Sequence, residues 1–140
     1  VPEACNFKGK AIYLDVDQLN FRDIAILYNT PLNGAPFACR KNKSCVTLFD
    51  CEKMAGILPS IAEMRQNPFF HQNNYSALTR YGEPIDPRWN CLDGENYSSQ
   101  DIWHLHFTDM RAQPWRPRWY IGPQIKHPRQ DLVDLWEQYR

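Results

Sequence analysis

The stretch Lys10-Ala-Ile-Tyr-Leu-Asp-Val-Asp17 decides how this chain is read. Lys10 to Leu14 is a short, nearly continuous apolar run, the pattern of a strand covered on both faces. It stops abruptly at two carboxylates, Asp15 and Asp17, separated by one residue. Strand side chains alternate between faces, so Asp15 and Asp17 are expected to point the same way. Ligands of open α/β sheets bind just beyond the carboxyl ends of the strands. Paired hard oxygen donors in that place suit a divalent cation held against phosphates. Asp also favours strand-end turns, so the tripeptide alone leaves a purely structural reading open.

Outward from this stretch, Asn20 is expected to cap a short helix from Arg22 to Asn29, with Ile24, Leu27 and Tyr28 at helical spacing. Pro31, Asn33, Gly34 and Pro36 break it. A second apolar run, Cys45-Val46-Thr47-Leu48-Phe49, reads as another buried strand that ends at Asp50 and passes into a helical stretch around Glu52 to Met54. Pro59 precedes a short helix, Ser60 to Arg65. The region from Asn67 to Asp101 is rich in Asn, Pro, Tyr and Gly and reads as loops with short strands. Ile102 to Phe107 is a third strand. Thr108 to Pro128 carries Pro114, Pro117, Pro123 and Pro128 and reads as ordered coil. Gln130 to Arg140 closes the chain as a helix with Leu132, Leu135, Trp136 and Tyr139 on one face. Strands alternating with helices predict a single α/β domain over residues 1–140.

Composition narrows the function. Sixteen Lys and Arg balance sixteen Asp and Glu, which argues against a protein that wraps duplex nucleic acid. An apolar fraction of 43% with 14% aromatic residues is too high for a disordered chain. No run reaches the roughly 20 apolar residues of a membrane-spanning helix, and no segment at the start reads as a signal peptide. Cys5, Cys39, Cys45, Cys51 and Cys91 are odd in number and lack finger-like spacing, so zinc-finger chemistry is not expected. Free thiols in a reducing compartment are expected, the cytoplasm ahead of the Golgi lumen.

Three segments, in order, carry a resemblance. Ala11-Ile-Tyr-Leu-Asp-Val-Asp-Gln-Leu-Asn-Phe-Arg-Asp-Ile-Ala-Ile-Leu-Tyr28 resembles the Tyr-Leu-Asp-x-Asp strand and Asp-Ile-x-x-Leu helix of family-eight glycosyltransferases, the glycogenin and bacterial galactosyltransferase group. Ser44-Cys-Val-Thr-Leu-Phe-Asp50 is similar to that family's Asn-Ser-Gly-Val-x-Leu-Phe-Asp strand. His106-Phe-Thr-Asp-Met-Arg-Ala-Gln-Pro-Trp115 is similar to its His-Phe-x-Gly-x-x-Lys-Pro-Trp segment. The resemblance implies a GT-A-like α/β fold, a mixed sheet flanked by helices, of which this chain carries the C-terminal, catalytic part. It implies a manganese ion, or magnesium, held by Asp15, Asp17 and His106. The ion would bridge the diphosphate of a nucleotide-sugar donor, a UDP-sugar first, and the sugar would transfer with retention to an acceptor that is a glycan, protein or lipid. Imidazole suits manganese better than magnesium or calcium.

The chain departs from the family in several places. The lysine that would contact the diphosphate stands here as Gln113, and Arg111 or Lys126 is the candidate to supply the missing cation. Lys43-Ser44-Cys45 replaces Asn-Ser-Gly. His71-Gln72-Asn73-Asn74 takes the place of the family's Asp-Gln-Asp and offers amides without a carboxylate. Only fourteen residues precede Asp15, so the nucleotide-recognition strands are expected to lie outside this sequence. His104, two residues before His106, is expected to be structural. Trp89, Trp103, Trp115 and Trp119 with Tyr120 could form an aromatic platform for sugars; Trp115 is also the candidate to pack the loop after His106, and Trp103 and Trp136 read as core. Two other classes stay open. One is a non-catalytic carbohydrate-binding or assembly module of the same fold, and the other is a metal-dependent nucleotidyl or phosphoryl transferase using the two carboxylates without His106. Self-association into a homo-oligomer also stays open.

Overall fold

The computed structural model describes residues 1–67 and 81–139; the amide-rich stretch 71–74 lies outside them. Among the described residues the strands are β1 (Lys10–Leu14), β2 (Gln18–Asn20), β3 (Phe37–Arg40), β4 (Lys43–Asp50), β5 (Glu83–Pro84), β6 (Cys91–Leu92) and β7 (His104–His106). The helices are α1 (Ile24–Tyr28), α2 (Ile61–Gln66) and α3 (Gln130–Gln138). Two mixed sheets result, one ordered β1-β4-β3-β5 and the other β2-β7-β6. Within them β4 pairs antiparallel with β1 and β3, and β2 pairs antiparallel with β7, while β3–β5 and β6–β7 run parallel.

The continuous apolar run of β4 follows from its central place. Val46 and Leu48 point into a core shared with Leu27, Leu32, Ala38, Ile85 and Trp89. On the other face Phe49 joins Phe37, Cys39, Cys51 and Met54. Both faces of β1 are also covered, Ile12 and Leu14 by the first cluster and Ala11 and Tyr13 by the second, but as an edge strand all its residues stay half-buried. A third cluster of Cys91, Ile102, Leu105, Phe107 and Leu132 holds the smaller sheet against α3. Truncating a residue as enclosed as Leu48 would cost about 2–5 kcal/mol.

Several local expectations are corrected. Asn20 does not cap a helix; it belongs to β2, pairing with His104. The cap of α1 is Asp23, whose carboxylate accepts from the Ala25 N–H at 2.9 Å, and the helix is shorter than Arg22 to Asn29. The segment after Asp50 makes turns instead of a helix. The Asp50 side chain takes the Lys53 N–H at 3.1 Å, its carbonyl takes that of Met54, and Gly56 turns away with φ of +77°. The third strand is trimmed to His104–His106, because Trp103 and Phe107 give their N–H groups to the carbonyls of Arg88 and Asp17. As expected, the stretch after Ser60 is helical, closed by a reciprocal capping box with Glu63. α3 lacks a side-chain cap and is held by Leu132, Leu135 and Trp136.

Candidate metal centre

Asp15, Val16 and Asp17 are the link between the two sheets. β1 ends at Leu14, opposite Val46 of β4, and the ladder runs one bond further as the Asp15 N–H donates to the Cys45 carbonyl at 3.1 Å. Val16 is fully exposed at the turn. Asp17 then enters the second sheet, its carbonyl accepting from the Phe107 N–H at 3.1 Å, and Gln18 lies opposite His106. Two strand ends from different sheets thereby meet over one histidine.

His106 is 7% exposed. Its Nε2 lies 3.1 Å from Oδ1 of Asp17 and 3.9 Å from Oδ2 of Asp15. Oδ1 of Asp15 accepts from the Tyr13 hydroxyl at 2.6 Å, which leaves the other oxygen for the histidine side. A carboxylate oxygen of Asp15, a ring nitrogen of His106 and Sγ of Cys45 lie within 4.8 Å of one another. Nδ1 of His106 is buried and has no hydrogen-bond partner among the described residues. The Cys45 thiol is held protonated by partial burial and by the negative charge of Asp15 beside it. The donor set therefore fits a divalent cation: two carboxylates and an imidazole converge, and the imidazole nitrogen that faces them can give its lone pair to a cation.

Gln113 is buried, and its amide nitrogen donates to Asp17 Oδ2 at 3.4 Å and to the Phe107 carbonyl at 3.0 Å. Both N–H donors are thus spent on the protein, so Gln113 orients Asp17 in this structure and offers no free donor to a diphosphate. Arg111 is exposed and bound in a fork to Asp109 at 2.8 and 3.0 Å. Lys126 is exposed on the proline-rich coil, next to Ile125, whose N–H donates to the Arg111 carbonyl. Arg111 and Lys126 stand near each other on the coil after β7, and no hydrogen bond or ion pair joins either to Asp15, Asp17 or His106.

His104 has a different task. Buried to 1% exposure, it places Nε2 at 2.8 Å from Oε1 of Gln18, whose amide nitrogen in turn donates to the Cys45 carbonyl at 3.2 Å. Burial, with His106 nearby, lowers its pKa to about 4, so the ring is neutral and Nε2–H donates to Gln18.

Two features were not read from the sequence. One is Cys45, brought beside Asp15 by the strand register. The other is Asp93, which supports the loop behind His106. Its N–H donates to the His106 carbonyl at 3.0 Å, its Oδ1 accepts from the Thr108 N–H and hydroxyl, and its Oδ2 lies 3.1 Å from Nε2 of His127.

The tryptophans do not assemble into one platform. Trp89 is buried against Trp103, and Trp103 carries the guanidinium groups of Arg22 and Arg88 over its ring. Trp115 packs edge-on against Phe107 and tilts onto Trp136, as expected of a residue that anchors the loop after His106. Trp119 is 70% exposed. No described helix is long and apolar enough to cross a membrane.

No protein-family model and no curated protein sequence matches the chain. Solved structures do. The glycosyltransferase GlyE of Streptococcus pneumoniae is similar over 94% of this chain and 40% of its own, with a TM-score of 0.62 at 15% identity, and its apo form gives 0.61. The galactosyltransferase LgtC, solved with donor and acceptor sugar analogues, is similar over 78% of this chain and 55% of its own, with a TM-score of 0.51 at 14% identity. An active-site mutant of LgtC gives 0.54 over 92% of this chain. The chain thus spans about two fifths of the length of GlyE. At this level of identity the likeness establishes the architecture, a partial GT-A-like glycosyltransferase fold.

Proposed function

We propose that this chain is the cation-binding, catalytic portion of a glycosyltransferase that moves a sugar from a nucleotide-diphospho-sugar, a UDP-sugar first, to a glycan, protein or lipid acceptor. The observation that carries the reading is the meeting of Asp15, Asp17 and His106 at the junction of two sheets, in a fold whose solved neighbours are glycosyltransferases. The residues present fit a divalent cation, and manganese or magnesium is the ion that the family resemblance implies. When bound, such a cation acts as a Lewis acid on the departing diphosphate, whose negative charge grows as the bond to the sugar breaks. Retention of configuration belongs to this proposal through the family resemblance.

The chain's own residues would divide the work as follows. Asp15 and Asp17 supply hard oxygen ligands, and His106 supplies a nitrogen from a buried, well-packed strand. Tyr13 and Gln113 fix the rotamers of the two carboxylates, which keeps the ligands preorganised. Arg111 and Lys126, exposed on the coil after β7, are the cations available to the diphosphate; Arg111 would exchange Asp109 for phosphate, a bidentate acceptor of similar geometry. We place residues 1–140 in one such domain.

The test is calorimetric titration of UDP and of GDP into the protein, with and without manganese, on the wild type and on His106→Ala. Manganese-dependent binding of one nucleotide, weakened by the substitution, supports the reading and names the nucleotide. Absence of manganese binding, with or without either nucleotide, overturns it and leaves a non-catalytic module of the same fold.

A further inference from the structure

We infer that Cys45 is a ligand in this centre, so that the site takes a thiophilic divalent cation such as zinc or cobalt in preference to manganese. The inference rests on the cation-site reading above and names the class of metal.

Register puts the thiol there. β1 and β4 pair Leu14 with Val46, so the next step of the ladder sets Asp15 against Cys45, and the bond from the Asp15 N–H to the Cys45 carbonyl makes that step at 3.1 Å. Residues directly opposite in an antiparallel pair project to the same face and bring their Cβ atoms within about 5.5 Å. The Cys45 carbonyl is pinned a second time by Gln18, from the strand that pairs with His106. Strands of both sheets therefore fix the sulfur beside the carboxylate and the imidazole, with the ligand atoms of Asp15, Cys45 and His106 within 4.8 Å of one another.

The donor chemistry then decides between metals. Two carboxylates and an imidazole accept manganese and zinc alike, whereas a thiolate favours the softer ion and imposes compact, near-tetrahedral coordination. On binding, the S–H bond breaks, a sulfur–metal bond forms and the proton passes to buffer. Cys45, Asp15 and His106 make three protein ligands, and Asp17, 3.1 Å from the histidine nitrogen, stands ready as a fourth or as the partner of an exchangeable position.

The experiment is titration of cobalt(II) into the metal-free protein, followed by absorption. The wild type should develop a near-ultraviolet thiolate-to-cobalt charge-transfer band together with visible d–d bands. Cys45→Ser and Cys45→Ala should lose the charge-transfer band and keep d–d bands, and His106→Ala should weaken both. In zinc–manganese competition read by the electron paramagnetic resonance of free manganese, the preference for zinc should fall about tenfold or more in Cys45→Ser. Cobalt binding that depends on His106 but shows no charge-transfer band overturns the role of Cys45 and spares the site. A band that survives in both Cys45 variants likewise overturns it, by assigning the sulfur elsewhere. No divalent binding in the wild type overturns the cation site itself and this inference with it.

Discussion

Nε2 of His106 lies 3.1 Å from Oδ1 of Asp17, and the main chain beside them is joined as well, by the bond from the Phe107 N–H to the Asp17 carbonyl. The side-chain contact is therefore held by a backbone contact. Asp17→Asn keeps the shape and the ability to bond the imidazole, and removes a charge. Manganese and zinc affinity should each fall by about tenfold or more, while the melting temperature stays within about 4 °C of wild type. Calorimetry with each ion, paired with scanning calorimetry, checks both halves.

Gln113 tests how far that rigidity is supplied by its neighbour. In Gln113→Leu the Asp17 carboxylate loses its donor, and the Phe107 carbonyl loses one as well. The expected result is a loss of about 1–3 kcal/mol in stability and a 10- to 100-fold loss in cation affinity, of order typical for partners that orient a ligand. Urea unfolding and metal titration read the two effects separately. Unchanged cation affinity would show that Asp17 needs no help to hold its rotamer.

Asp93→Ala should act mainly on stability. The carboxylate is almost fully enclosed, accepts twice from Thr108 and faces His127. Removing it leaves those donors and the His127 Nε2 without their partner, at an expected cost of about 1–3 kcal/mol for each buried donor left unpaired. The N–H that supports the His106 carbonyl survives the substitution. Cation affinity of the folded fraction should consequently change less than it does in Gln113→Leu.

His104 predicts a pH dependence. Burial holds its pKa at about 4 in the folded chain, below the ordinary 6.5. Between those values the unfolded chain binds the proton and the folded chain does not. Stability from this group is therefore full above about pH 6.5 and declines as pH falls towards 4, by an amount on the order of 3 kcal/mol. Carboxylates paired with arginine, Glu95 with Arg40 and Asp86 with Arg88, have depressed pKa values and lose their contribution in a lower window. Urea midpoints at pH 7 and pH 5 should differ in the wild type and nearly coincide in His104→Gln.

Much of this arrangement was legible in the residues. The runs at Lys10–Leu14 and Cys45–Phe49 announce strands because both faces of each are covered, and a nearly continuous apolar run is what such strands show. Asp15, Asp17 and His106 as candidate ligands likewise follow from local pattern and family resemblance, and the structure brings the three together. What escaped was long-range. Asn20 carries a good capping side chain, yet pairing with His104 takes its backbone into a strand and leaves Asp23 to cap the helix. Cys45 and Asp15 are thirty positions apart and become neighbours only through register, which no local window contains. The tryptophans failed as one platform for a related reason: Trp89 pairs with Trp103, Trp115 with Phe107 and Trp136, and Trp119 with Tyr120, and composition cannot say which pairs form.

The shortness of the link at Asp15-Val16-Asp17 has a mechanical side. Leu14 ends one sheet and Gln18 starts the next, so a cation gripping both carboxylates and His106 would clasp the two sheets across their hinge. Loaded at a hundred times its dissociation constant, such a clasp raises unfolding free energy by about 2.7 kcal/mol. Its signature in hydrogen exchange should be distinctive. Amides of β2 and β7, in a sheet of only short strands, should slow most, until the smaller sheet opens together with the larger one rather than ahead of it.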